Sequence, residues 1–128
     1  MNHATRLFIM VLGATFLFAM SSGQEKKPAG EVTTLKGELI DIKCYSSGMG
    51  GGSGEEHQDC AIQCIRGGLP VGLVDEKGNM YVLVPKKGMK GGNEALAAHA
   101  SHTLTVKGTL QEKGGMKVMH YTSFEMAK

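Results

Sequence analysis

The chain has 128 residues, with 14 Lys and Arg against 12 Asp and Glu, a net charge of +2 and a pI near 8.4. That near-balance builds no extended field of one sign, which argues against nucleic acid or an anionic membrane surface as partner. With 41% hydrophobic residues, 5% aromatics and no tryptophan, any core must be aliphatic and modest in size.

The N-terminus reads MNHATRLFIMVLGATFLFAMSSGQ. Arg6 gives a positive start, Leu7 to Met20 form an apolar run, and small residues follow. This is the layout of a secretory signal peptide, too short for an ordinary membrane span. Ala19 and Ser21 suit the small-residue cleavage rule, so residues 1–21 are read as a signal peptide cleaved after Ser21, with Gly23 the next choice. No cysteine lies near that point and no twin-arginine pair precedes it, so general secretion to the periplasm or cell exterior is expected, with no stable membrane insertion after cleavage. Three of the four phenylalanines leave with the signal. The mature chain of about 106 residues is one small domain, of the kind often stapled by a disulfide or a metal.

Residues 22–30 are polar, contain Pro28 and read as a flexible lead-in to a domain at 31–128. Val32 to Tyr45 reads as a long strand, and Gly37 within it suggests a bend where one strand serves two sheets. Gly48 to Gly54 is a glycine-rich loop. Ser53 to Arg66 reads as a helix, with Ser53 and Glu56 as a capping box and Gly67-Gly68 as the stop. Pro70 to Val74 and Met80 to Val84 are strands joined by a turn at Asp75–Asn79. Lys86 to Gly92 is a basic loop. Asn93 caps a short helix, Glu94 to Ala100. Thr103 to Gln111 and Met116 to Phe124 are the last strands, around a turn at Glu112–Gly115. On the final strand Met116, Val118, His120, Thr122 and Phe124 are expected on one face.

Five strands, with a helix inserted between the first and second and a short one between the third and fourth, is the order of an OB-fold barrel. The fold class is therefore mostly β, a small five-stranded OB-like barrel. An SH3-like barrel or an open α+β sheet is the alternative. GELIDIKCY, HQDCAIQC and GGLPVGLVDEKGNMY, within Gly37 to Tyr81, resemble small exported bacterial OB-fold-like proteins with a Cys…His-x2-Cys-x3-Cys cluster. The similarity is weaker over LTVKGTL at Leu104 to Leu110. The resemblance implies fold and location and transfers no catalytic residue.

All three cysteines lie in DIKCYSSGMGGGSGEEHQDCAIQCIRGG. On a helix, His57, Cys60 and Cys64 at i, i+3, i+7 fall in one sector about 60° wide. Ala61, Ile62 and Ile65 lie on the adjacent face and are expected to pack on the barrel. The glycine loop lets Cys44, at the end of the first strand, double back to that face. Cys44, His57, Cys60 and Cys64 then form a Cys3His set suited to zinc or Cu(I). Asp41 and Asp59 are candidates to orient His57.

Two other readings stand beside the metal site. In an oxidising compartment Cys44 pairs with Cys60 or Cys64 in a disulfide that staples a binding or interaction module. In a thiol redox protein, His57 stabilises a Cys60 thiolate. Without a CxxC motif or an evident residue to orient His57, the balance is against an enzyme, and the absence of CxxCH excludes covalent haem. The partner is a metal ion or an exported protein. The scattered methionines are read as core filling. His99 and His102 are read as helix-end residues. Lys86, Lys87 and Lys90 are read as a solvated loop.

Overall fold

The computed structural model describes residues 31–88 and 93–128. The expected signal peptide, the lead-in and part of the basic loop, with Met89 and Lys90, lie outside the described residues. No helix among the described residues is long and apolar enough to cross a membrane.

The elements in chain order are β1 (Val32–Asp41), α1 (Ile42–Ser47), two 3-10 turns (Met49–Gly51 and Glu55–His57), α2 (Gln58–Arg66), β2 (Val71–Val74), β3 (Met80–Pro85), α3 (Asn93–Ala97), β4 (Thr103–Lys113) and β5 (Met116–Met126). The strands close into a barrel in the order β1-β2-β3-β5-β4, with β4 returning to β1. Only β3 and β5 run parallel; the other neighbours are antiparallel. This is the OB-like barrel expected from the element order, with a helix after β1 and a short helix between β3 and β4.

Closure depends on β1 serving two partners. Residues Val32 to Glu38 pair with β4, and Glu38 to Asp41 pair with β2. The change of partner falls at Gly37-Glu38, as the mid-strand glycine suggests. A Cβ at Gly37 would collide with the Val74 carbonyl oxygen, so only a residue without a side chain lets the two backbones approach there.

The core is aliphatic. Leu39, Val71, Leu73, Leu83, Leu104, Val106 and Met119 fill the barrel, and Ala61 and Ile65 of α2 with Leu96 and Ala97 of α3 pack against them. Each such Leu, Ile, Val or Met buried in full contributes about 1.5–3 kcal/mol. Ile62 packs on the same cluster at its edge, so the apolar face expected for α2 is the one buried.

Four local expectations are corrected. The first strand stops at Asp41, and Cys44 lies in α1 instead of at a strand end. Ser53 and Glu56 form no capping box: Gly54 is the cap residue of the turn before α2, and its N–H donates to Glu38 Oε1 at 2.6 Å. Asn93 is the first residue of α3, which ends at Ala97, and its side chain donates to the carbonyls of Ile65 (3.0 Å) and Leu69 (2.8 Å), securing the end of α2. On β5 the inward residues are Met119, Tyr121 and Phe124. Pairing skips Thr122 between Tyr121 and Ser123, and this bulge reverses the alternation.

The remaining turns follow their sequence. Gly114 and Gly115 alone join β4 to β5, both with positive φ (61° and 78°), the requirement of a two-residue type I′ turn. At Asp75–Asn79, Asp75 Oδ1 accepts from the N–H groups of Lys77 (2.9 Å) and Asn79 (2.8 Å), and Oδ2 accepts from Tyr81 O–H (3.1 Å).

Of the methionines, Met119 is a core residue, whereas Met49, Met116 and Met126 are exposed. Core filling therefore describes Met119 and not the exposed three. His99 packs edge-on against Phe124, 5.4 Å between centroids. His102 lies by Gln58, with 3.3 Å between its Nε2 and Gln58 Nε2.

Candidate metal centre

The segment from β1 to β2 is built by an aspartate. Asp41, the last residue of β1, keeps extended dihedrals (φ −83°, ψ 132°), and its Oδ1 accepts from the Cys44 N–H at 2.8 Å. This is side-chain capping of a helix start, and it turns the chain from strand into α1. The DIKC spacing places Cys44 in the first turn of α1, fully buried.

The other carboxylate oxygen of Asp41 faces the second limb. Oδ2 lies 3.2 Å from His57 Nε2, with Asp41 0% and His57 3% exposed. A buried carboxylate with a donor on each oxygen is satisfied. An imidazole that gives its Nε2 proton to a carboxylate keeps Nδ1 free to accept or ligate.

Two glycines let the connecting loop cover these groups. A Cβ on Gly50 would stand 2.9 Å from His57 Nδ1, and one on Gly52 would stand 2.9 Å from the Cys44 carbonyl oxygen. Both residues have positive φ (60° and 73°). The glycine-rich composition is therefore a packing requirement at these positions as well as a source of flexibility.

Cys60 and Cys64 come from α2, one turn apart. Cys64 is half-buried and Cys60 exposed. Cys64 Sγ lies 3.9 Å from Cys44 Sγ. The four predicted residues gather as overlapping groups that share Cys44: the ligand atoms of Cys44, His57 and Cys60 lie within 4.8 Å of one another, as do those of Asp41, Cys44 and Cys64. Asp41 is thus the carboxylate that contacts His57, while Asp59 is exposed. Sequence reading ranked the two alike; the helix-capping geometry at Asp41 is the signal that separates them.

The sulfur spacing has a chemical meaning. Two thiolates on one tetrahedral zinc, each about 2.3 Å from the ion, stand about 3.8 Å apart. A disulfide requires about 2.05 Å. The Cys44–Cys64 separation, 3.9 Å, is a thiol–thiol hydrogen-bond contact close to the first value and far from the second, and all three cysteines are free thiols. Burial, then contact with Asp41 and Cys64, pushes the Cys44 thiol up to about 12. Without a cation it is a neutral thiol that donates hydrogen bonds, and a metal ion would replace its proton.

Comparison with protein-family models, with curated proteins and with solved structures gives no match.

Proposed function

We propose that this chain is an exported metal-binding module. Cys44, His57, Cys60 and Cys64 ligate one thiophilic ion, zinc or Cu(I), and Asp41 orients His57. The observation that carries this reading is the 3.9 Å separation of the Cys44 and Cys64 sulfurs beside a buried, carboxylate-held imidazole. Three sulfurs and one nitrogen suit these ions and suit magnesium or calcium poorly. Cys60 already lies with Cys44 and His57, and the half-buried Cys64, beside Cys44, has the rotamer freedom to complete the set.

The test is intact mass of the mature protein, purified from the compartment to which it is exported without chelator, under native and denaturing conditions. One metal adduct, lost on denaturation to leave three free thiols, is the expected result. His57→Ala should then reduce the bound metal. Unchanged metal content in that variant would sink the four-ligand site.

The second reading is a disulfide-stapled module. The same 3.9 Å contact favours Cys44–Cys64 over Cys44–Cys60 as the pair. A mass lower by two hydrogens, with no metal, would establish it.

A further inference from the structure

The site has one ligand on the outside. Cys44 and His57 are buried, Cys64 is half-buried and Cys60 is exposed. Among the described residues the Cys60 side chain makes no hydrogen bond, whereas Cys44, His57 and Cys64 each contact another member of the cluster or Asp41.

The elements around the site have anchoring contacts of their own. Ala61 and Ile65 anchor α2 in the barrel core. Gln58 Nε2 donates to the Ala100 carbonyl at 3.1 Å, Asn93 holds the far end of the helix, and Glu38 holds the turn before it. A closed barrel with its own core leaves little for a structural metal to staple. A buried set of ligands with one exposed member instead suits ligand exchange. The turn whose Gly50 lies against the imidazole also carries Met49, a thioether 52% exposed, so a second soft donor lies at the surface.

Resting on the metal-binding reading above, we infer that the module is a carrier, in which Cys60 is the exchangeable ligand that passes a soft metal ion to and from a thiol-bearing partner. As the partner's sulfur bonds to the ion, the metal–sulfur bond to Cys60 breaks. The proton lost by the incoming thiol goes to Cys60. No electron is transferred and the ion keeps its charge. The buried ligands hold the ion until the partner's own donors replace them.

The experiment uses the mature chain loaded with zinc as probe, read by native mass spectrometry with 2-mercaptoethanol present. Wild type should carry one ion. Cys60→Ala should keep one ion and gain the mass of one mercaptoethanol, because the vacated position is open to solvent. Cys44→Ala should gain none, because its position is sealed. Circular dichroism establishes that each variant is folded; Cys44→Ser replaces Cys44→Ala if the latter is not, and Cys60→Ser replaces Cys60→Ala on the same ground. A Cys60→Ala protein that takes up no thiol, or equal uptake at the buried position, overturns the carrier reading while leaving metal binding intact. A wild-type protein that takes up no ion overturns both.

Discussion

Asp41 and His57, sixteen positions apart, meet at 3.2 Å out of contact with solvent. The same carboxylate caps α1 through the Cys44 N–H. One side chain therefore sets the position of two proposed ligands. Asn at this position keeps a capping oxygen but gives up the charge and one acceptor. Asp41→Asn should weaken metal affinity about 10–100-fold at unchanged one-to-one stoichiometry. Competition titration against a chromogenic chelator reads this, and an affinity within threefold of wild type would remove Asp41 from the site.

Gly50 and Gly51 form a matched pair for testing the loop. Both have positive φ, 60° and 82°, so alanine costs about 1–2 kcal/mol of backbone strain at either. Only at Gly50 does the added carbon meet His57. Gly51→Ala should lower thermal stability through backbone strain alone and Gly50→Ala by somewhat more, while only Gly50→Ala weakens metal binding, by about tenfold. Equal affinities for the two variants would show that the loop does not support the imidazole.

The barrel carries its own test at Gly37. A Cβ there meets the Val74 carbonyl, a backbone atom fixed by the β1–β2 ladder. Gly37→Ala should destabilise the fold by about 1–3 kcal/mol, as overpacking does. Chemical denaturation should show a lower midpoint at unchanged slope. A midpoint equal to wild type would mean the strands separate there at no cost.

At Asp75, burial opposes ionisation, but hydrogen bonds from Asn79, Tyr81 and the Lys77 N–H outweigh it and hold the carboxyl below its ordinary range. A depressed folded-state value contributes stability above the unfolded value, about 3.9, and that contribution is lost as pH falls through the folded one. Asp75→Asn should therefore flatten the melting temperature against pH below about pH 4, with little change in the shape of the curve near neutrality. An acid limb as steep as that of wild type would assign the acid sensitivity to other carboxyls.

The barrel was legible because its signals are local. Alternating apolar strands and the Asp75–Asn79 turn each report on neighbours a few residues away, and the glycine inside β1 marks the bend by its missing side chain alone. That Cys44, His57, Cys60 and Cys64 would gather was legible because all three cysteines lie within one short segment and two of them share a helical sector with His57. The end of β1 was not: Ile42 and Tyr45 continue an apolar pattern past Asp41, and only the carboxylate's bond to Cys44 shows the strand has ended. The turn before α2 is held by Glu38, sixteen positions before Gly54. The facing of β5 depends on a bulge at Thr122 that exists only in pairing with β4. Each of these is fixed by tertiary contact, which periodicity does not record.

The change of partner along β1 also separates two time scales of assembly. The proposed ligands span Cys44 to Cys64, a short loop to close, whereas β1 must find β4 across Val32 to Thr109. Short closures take well under a microsecond, and non-local strand pairings are the slow events of all-β folding. The four ligands can therefore meet one another in the still-unfolded chain, before the barrel forms. On the proposed metal-binding reading, metal present during refolding should hold the Cys44–Cys64 segment looped before the barrel forms, and the expected sign is a burst phase whose amplitude depends on metal concentration.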